Sequence, residues 1–217
     1  MSDGTFDVNL FIKESKDVLL NPKSYFSTMK TSGGLTEPLI KAVIYGAVAG
    51  VIAFIWSLLS LGPIGSGLFG GAFGIMILFG KIIGSIIGLF IGAIILLVIS
   101  SICKGSTDFE ANIRVTAAVM VVMPISAFLG FSIHINFYLG SIISLAVSLF
   151  ALWLLYNGLV EALKTNAETT KIVIYVLIAL TVLVMIFSIG RLGRTSRMLR
   201  EFNNKDAKEM MKDLPRN

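Results

Sequence analysis

From residue 64 to residue 102 the chain runs through 39 positions with a single charged side chain, Lys81. Such a run is long enough to cross a bilayer, where each backbone amide must find its hydrogen bond within the chain. Composition makes the same point for the whole molecule. Of the 217 residues, 55% are hydrophobic and 14% are charged, and mean hydropathy is +0.87. A soluble domain carries about 25% charged residues. This excludes an ordinary soluble enzyme, a nucleic-acid-binding module and a disordered chain. The lone cysteine, Cys103, excludes a disulfide scaffold. The fold class expected is an all-α, polytopic transmembrane helical bundle.

As one helix, 39 residues would measure about 58 Å against a hydrocarbon core of about 30 Å. A break is therefore expected, and Lys81 marks it, because a lysine at the bilayer centre costs a few kcal/mol. Residues 82–102 then form a full span. Residues 64–80 hold Gly65, Gly67, Gly70, Gly71 and Gly74, which makes them a short extra span or a re-entrant segment. Four further full spans are read. The first covers 39–61, with Lys41 snorkelling near its end and Gly62-Pro63 closing it. The others cover 115–131, kinked at Pro124, 137–159, and 172–190, a peripheral lipid-facing helix.

Three regions follow: residues 1–38 as an interfacial amphipathic segment, 39–190 as the membrane domain, and 191–217 as a basic tail. In the first, Asn21-Pro22 stops one short helix and starts the next, since Pro at a first helical position forfeits no hydrogen bond. Gly33-Gly34 ends the second, and Thr36-Glu37-Pro38 opens the first span. The first 38 residues hold no apolar core of a cleavable signal, so delivery is expected to rest on the first span.

The net charge of +5 reflects bases at the two ends, eight of them after the last span. Bases in such flanks face the cytoplasm and anionic lipid head groups, not nucleic acid. Five crossings put nine bases on each side of the membrane, a tie. Six put fourteen on one side and four on the other. Charge favours six crossings, whereas glycine content and length favour five.

Two polar loops carry a capping pattern, with Thr107 and Glu110 in one and Thr165 and Glu168 in the other. Glu110 also precedes Arg114 by four positions, a favourable helical pair. Small residues recur every fourth position: Ala42, Gly46 and Gly50; Gly80, Gly84, Gly88 and Gly92; and Gly140, Ser144 and Ser148. That spacing lets neighbouring backbones approach closely, chiefly within the chain. All thirteen carboxylates lie outside the span interiors, which disfavours a transporter driven by protons or sodium. His134 is the only histidine and sits at a span boundary. No ligand cluster for a metal, no cofactor site and no catalytic frame is present. Trp56, Trp153 and Tyr156 read as interface anchors.

Several motifs then coincide in order. Leu19-Leu20-Asn21-Pro22-Lys23-Ser24-Tyr25-Phe26 precedes the first span, followed by Gly33-Gly34 and Pro38-Leu39. After the second span comes Lys104-Gly105-Ser106-Thr107-Asp108-Phe109-Glu110-Ala111-Asn112-Ile113-Arg114-Val115. The fourth ends in Tyr156-Asn157-Gly158-Leu159-Val160-Glu161-Ala162-Leu163-Lys164. This order resembles the Yip family (Ypt-interacting protein domain), particularly its prokaryotic branch, over residues 17–190. The resemblance implies five spans with a cytosolic N-terminus and, in eukaryotic members, binding of Rab-type GTPases. The tyrosine- and glycine-containing sequence that precedes the first span in those members is absent here, so GTPase binding is not carried over. The long basic tail also departs from the family pattern.

The function expected is that of a non-catalytic integral, multi-pass membrane protein, in the plasma membrane if the chain is prokaryotic. It would act as a scaffold or interaction component. Its partners would be the bilayer, anionic head groups through the tail, and a membrane protein or a second copy. The alternative is a channel or uncoupled transporter with 64–80 as a re-entrant element.

Overall fold

The computed structural model describes residues 7–59 and 66–212, with side chains for 7–59 and 74–189. Helix α1 (Val8–Leu20) starts at Asp7, whose carboxylate accepts from the Asn9 and Leu10 amides. Pro22 occupies the first position of α2 (Pro22–Thr28), where its missing N–H is harmless. Then follow α3 (Thr36–Leu58), α4 (Ser66–Ile102), α5 (Phe109–Val119), α6 (Val122–Leu129), α7 (Ser132–Ile135), α8 (Phe137–Asn157), a π-helical turn (Gly158–Ala162) and α9 (Ala167–Lys212). No strand occurs among the described residues. Five stretches are long and apolar enough to cross a membrane: Thr36–Leu58, Gly74–Ile102, Phe109–Ile135, Phe137–Ala162 and Ala167–Ile189. The protein is an all-α polytopic membrane bundle. The chain up to Ile178 forms one compact unit, and from Ala179 onward a second. Within the described residues that second unit is the continuation of α9 as far as Lys212. Side chains of the basic tail, and Gly62-Pro63, lie outside the described residues.

The second span does not break at Lys81. Helix α4 is continuous from Ser66, and its apolar stretch takes in Gly74, Gly80 and Lys81. A lysine costs solvation energy, not backbone hydrogen bonds, and it is a good helix former. Its exposed side chain leaves the helix geometry untouched. A re-entrant turn within 66–80 is therefore not observed. The third span does break, one turn ahead of the expected proline kink, at Met120 and Val121 between α5 and α6. Pro124 has no N–H for the Met120 carbonyl, which instead accepts from Met123 at 2.9 Å.

The spans pack through their smallest residues. Gly46 faces Ser85 and the Lys81 carbonyl, and Gly50 faces Leu78, so α3 and α4 run antiparallel in close contact. Ala42, Ala93 and Ala117, all buried, join Leu89 and Ile113 in a small-residue core between α3, α4 and α5. Gly92 lies against the Thr116 methyl, and Gly140 against the Ile133 backbone in the α7–α8 hairpin. Around Gly84 and Gly88, by contrast, a Cβ would meet no atom within 4 Å, and Ser144 is exposed. Trp56 is drawn into the bundle: its indole N–H donates to the Ala127 carbonyl and its ring packs on Phe131.

A second core holds the surface helices onto the bundle. Val18 of α1 and Phe26 of α2 are each 1% exposed and pack with Val115, Leu154, Leu159 and Leu163. A Cβ on Gly158 would lie 2.6 Å from the Val115 side chain and 3.5 Å from the Phe26 ring. Glycine at the head of the π-helical turn thus admits α2 to the bundle.

The glycine contacts predict opposite outcomes for two similar changes. Gly46→Val forces α3 from α4 and should lower unfolding stability in detergent by about 1–3 kcal/mol. Gly84→Val should stay within about 0.5 kcal/mol of the parent. Thermal or denaturant unfolding followed by circular dichroism reads both.

Candidate functional site

Three helices bring five charged side chains into one alternating chain. Helix α1 supplies Glu14, the first turns of α3 supply Glu37 and Lys41, and α5 supplies Glu110 and Arg114. The Lys41 ammonium lies 2.7 Å from both Glu14 and Glu37. The Arg114 guanidinium reaches the other Glu37 oxygen at 2.8 Å and Glu110 at 3.3 Å. Its remaining nitrogen donates to the Gly34 carbonyl at 2.9 Å, while the Gly34 N–H donates back to Glu110. Both cations are almost fully enclosed, Lys41 at 7% and Arg114 at 6% exposure. Lys41 therefore does not snorkel to water; its two carboxylate partners come to it.

The local sequence explains the convergence. Glu37–Lys41 and Glu110–Arg114 are each four residues apart on a helix, so each pair meets on one face. Gly33 and Gly34 adopt φ of 128° and 90°, a region side chains rarely tolerate. A Cβ at Gly33 would also approach the Arg114 guanidinium to 3.0 Å. The diglycine loop thus lays its backbone across the arginine. Around the network, Ser15 and Tyr45 share a hydrogen bond of 2.8 Å. Burial pushes the Tyr25 hydroxyl up to about 12, with Lys41 pulling partly the other way. A cavity of about 430 Å³ opens beside these groups, bordered also by Lys13, Asp17 and Lys30.

The other sequence-derived candidates fall elsewhere. Thr107 is exposed, and the cap of α5 is its neighbour Asp108, which accepts from the Glu110 amide at 3.0 Å. Released from capping, the Glu110 carboxylate turns to Gly34 and Arg114. In the second loop Asn166, not Thr165, caps α9, accepting from the Glu168 and Thr169 amides. Thr165 is buried and accepts from the Thr170 hydroxyl at 2.8 Å. Glu168 is exposed and pairs with Lys171.

The two loops clasp each other. Ser106 N–H donates to the Leu163 carbonyl and Asn166 N–H to the Cys103 carbonyl, both at 2.8 Å. Each loop places a lysine in the left-handed region, Lys104 at φ 58° and Lys164 at φ 55°, with both side chains exposed. Asn112, which no sequence motif singles out, is fully buried, and its amide donates to the Ser106 and Asp108 carbonyls. Glu14, the pairing of Glu37 and the burial of Lys41 are likewise marked by no motif in the sequence. The available signal was two i, i+4 ion pairs at adjoining span starts.

A membrane-spanning bundle whose surface helices are locked to it by ion pairs, with paired polar loops alongside, is the class of protein these features define. A family model described as the Yip1 domain matches residues 16–190. The chain belongs to the Yip family and is an integral, multi-pass membrane protein. Comparison with curated proteins and with solved structures gives no match.

Two measurements test the site. Arg114→Met and Lys41→Met each leave carboxylates that water reaches in part, Glu37 at 42% exposure, so each should destabilise the protein by about 1–3 kcal/mol, below the range for a fully buried pair. The two are coupled through Glu37, so the double variant should fall short of their sum by at least about 0.5 kcal/mol. Glu168→Ala, in an exposed pair, should cost less than about 1 kcal/mol. For pH, Tyr25 ionises near 12 when folded and near 10 when unfolded. Its contribution is whole below pH 10 and declines as pH rises to 12, by about 2–3 kcal/mol. Tyr25→Phe should remove that part of the alkaline decline in unfolding experiments.

Proposed function

We propose that this Yip-family protein acts as a non-catalytic membrane scaffold, recognising a membrane-protein partner or a second copy of itself. The recognition surface is the polar end formed by α2 and the two clasped loops. One observation carries the reading: Lys104 and Lys164 are presented to solvent from loops fixed to one another by reciprocal backbone hydrogen bonds. A surface organised before binding loses little ordering entropy on association. The exposed Lys23 and Ser27 on α2 extend it. The buried charges do not compete for this role, because each is engaged by another within the bundle. The basic tail adds attraction to anionic head groups.

The test is affinity capture from mild detergent with the full chain and its Lys104→Glu/Lys164→Glu variant. A partner, or a second tagged copy, should be recovered with the parent and reduced at least about tenfold with the variant, since reversed charges at an interface cost several kcal/mol. Equal recovery by both, or repeated recovery of nothing, would overturn the proposal.

A further inference from the structure

We propose that Lys81 and His134 form a binding site for the head group of an anionic phospholipid, inside the membrane and on the side of the bundle away from the clasped loops. The two residues line one cavity of about 290 Å³ between α3, α4, α6 and α7, together with Trp56 and Ser126. The remaining walls are apolar or small, among them Ala49, Ala53, Ile77 and Met123.

The depth of Lys81 follows from its neighbours. Its Cβ lies 3.4 Å from where a Cβ on Gly50 would stand, so it sits level with Gly50, eight residues inside the end of α3. At 1.5 Å per residue that is about 12 Å. His134 stands one residue before the end of the third span, Phe109–Ile135. One cavity thus holds a histidine near the end of a span and a lysine at depth.

A lysine in that position requires an anion or water, and the chain supplies no carboxylate for it. No Asp or Glu occurs in residues 38–107 or 111–160, which provide every wall of the cavity. The Lys81 side chain makes no hydrogen bond or ion pair among the described residues, unlike that of Lys41, which holds two ion pairs. An anion at Lys81 would therefore come with a ligand and not from the chain. Around Lys81 the surface of α4 is apolar and exposed at Met76, Phe79, Ile83 and Ile87, and a Cβ on Gly84 or Gly88 would meet open space. A molecule reaching the lysine from that surface carries both an anionic head and an apolar tail. The Ser126 hydroxyl and the His134 ring add polar groups for phosphate oxygens, and the glycine face gives an acyl chain room to lie against the helix.

Trp56, which lines the cavity, provides a local reporter. In a Trp153→Phe background it is the sole tryptophan, since the chain has two. The full-length protein is reconstituted in bilayers containing a phospholipid brominated in its tail, with either a phosphatidylglycerol or a phosphatidylcholine head. At equal mole fraction the anionic lipid should occupy the site with about fivefold preference, read from quenching of Trp56. Lys81→Met should abolish that preference, Lys81→Arg should retain it, and inorganic phosphate should not displace the lipid. Circular dichroism establishes that each variant is folded before it is read. Equal quenching by both lipids, a preference that survives Lys81→Met in folded protein, or displacement by phosphate would overturn the proposal.

Discussion

The chain of charges from Glu14 through Lys41, Glu37 and Arg114 to Glu110 holds the rest of the arrangement in place. It joins a surface helix to the starts of two spans and fixes the diglycine loop between α2 and α3. Three carboxylates face two cations, so each cation lies between two anions. Alone, the buried Lys41 and Arg114 would carry a large desolvation penalty; here each lies between two carboxylates that offset it. The apolar contacts of Val18 and Phe26 bring α1 and α2 onto the bundle, but apolar contact is not directional. The ion pairs and the Gly34 hydrogen bonds set the register in which those helices sit.

The motifs that carry the family resemblance meet in space at this end of the molecule. The Asn21-Pro22 segment turns the chain so that Phe26 enters beside Gly158. Gly33-Gly34 lies across Arg114, and Glu110 reaches back to Gly34. Segments more than a hundred residues apart in the chain are thus parts of one joint.

The helical class, the five spans and most of their limits were legible because apolar length and glycine, proline and Asx punctuation act locally. Asn21-Pro22 and Thr36 mark helix ends that depend on few distant contacts. The continuity of α4 was not legible: Lys81 looked like a stop only while it was placed at the bilayer centre of an isolated helix. The break at Met120 arises from the carbonyl that Pro124 leaves without its usual donor, a consequence that falls upstream of the residue causing it. Asp108 and Asn166 displace Thr107 and Thr165 as caps because each helix starts one residue later than the capping pattern implies, at an Asx residue, which caps better than threonine. The ion network depended on α1 folding over α3 and α5, which no periodicity within α1 announces. His134 and Lys81 stood out singly in the sequence, and only the packing of α3, α4, α6 and α7 puts them on one cavity.

The reciprocal pair of hydrogen bonds between residues 103–106 and 163–166 has a mechanical consequence. Hairpin α4–α5 and the turn from α8 into α9 already share the core of Val115, Leu154, Leu159 and Leu163. Tied at the two carbonyls of Cys103 and Leu163, they tilt as one. Force applied at either lysine is shared between the second and fourth spans instead of bending a single loop.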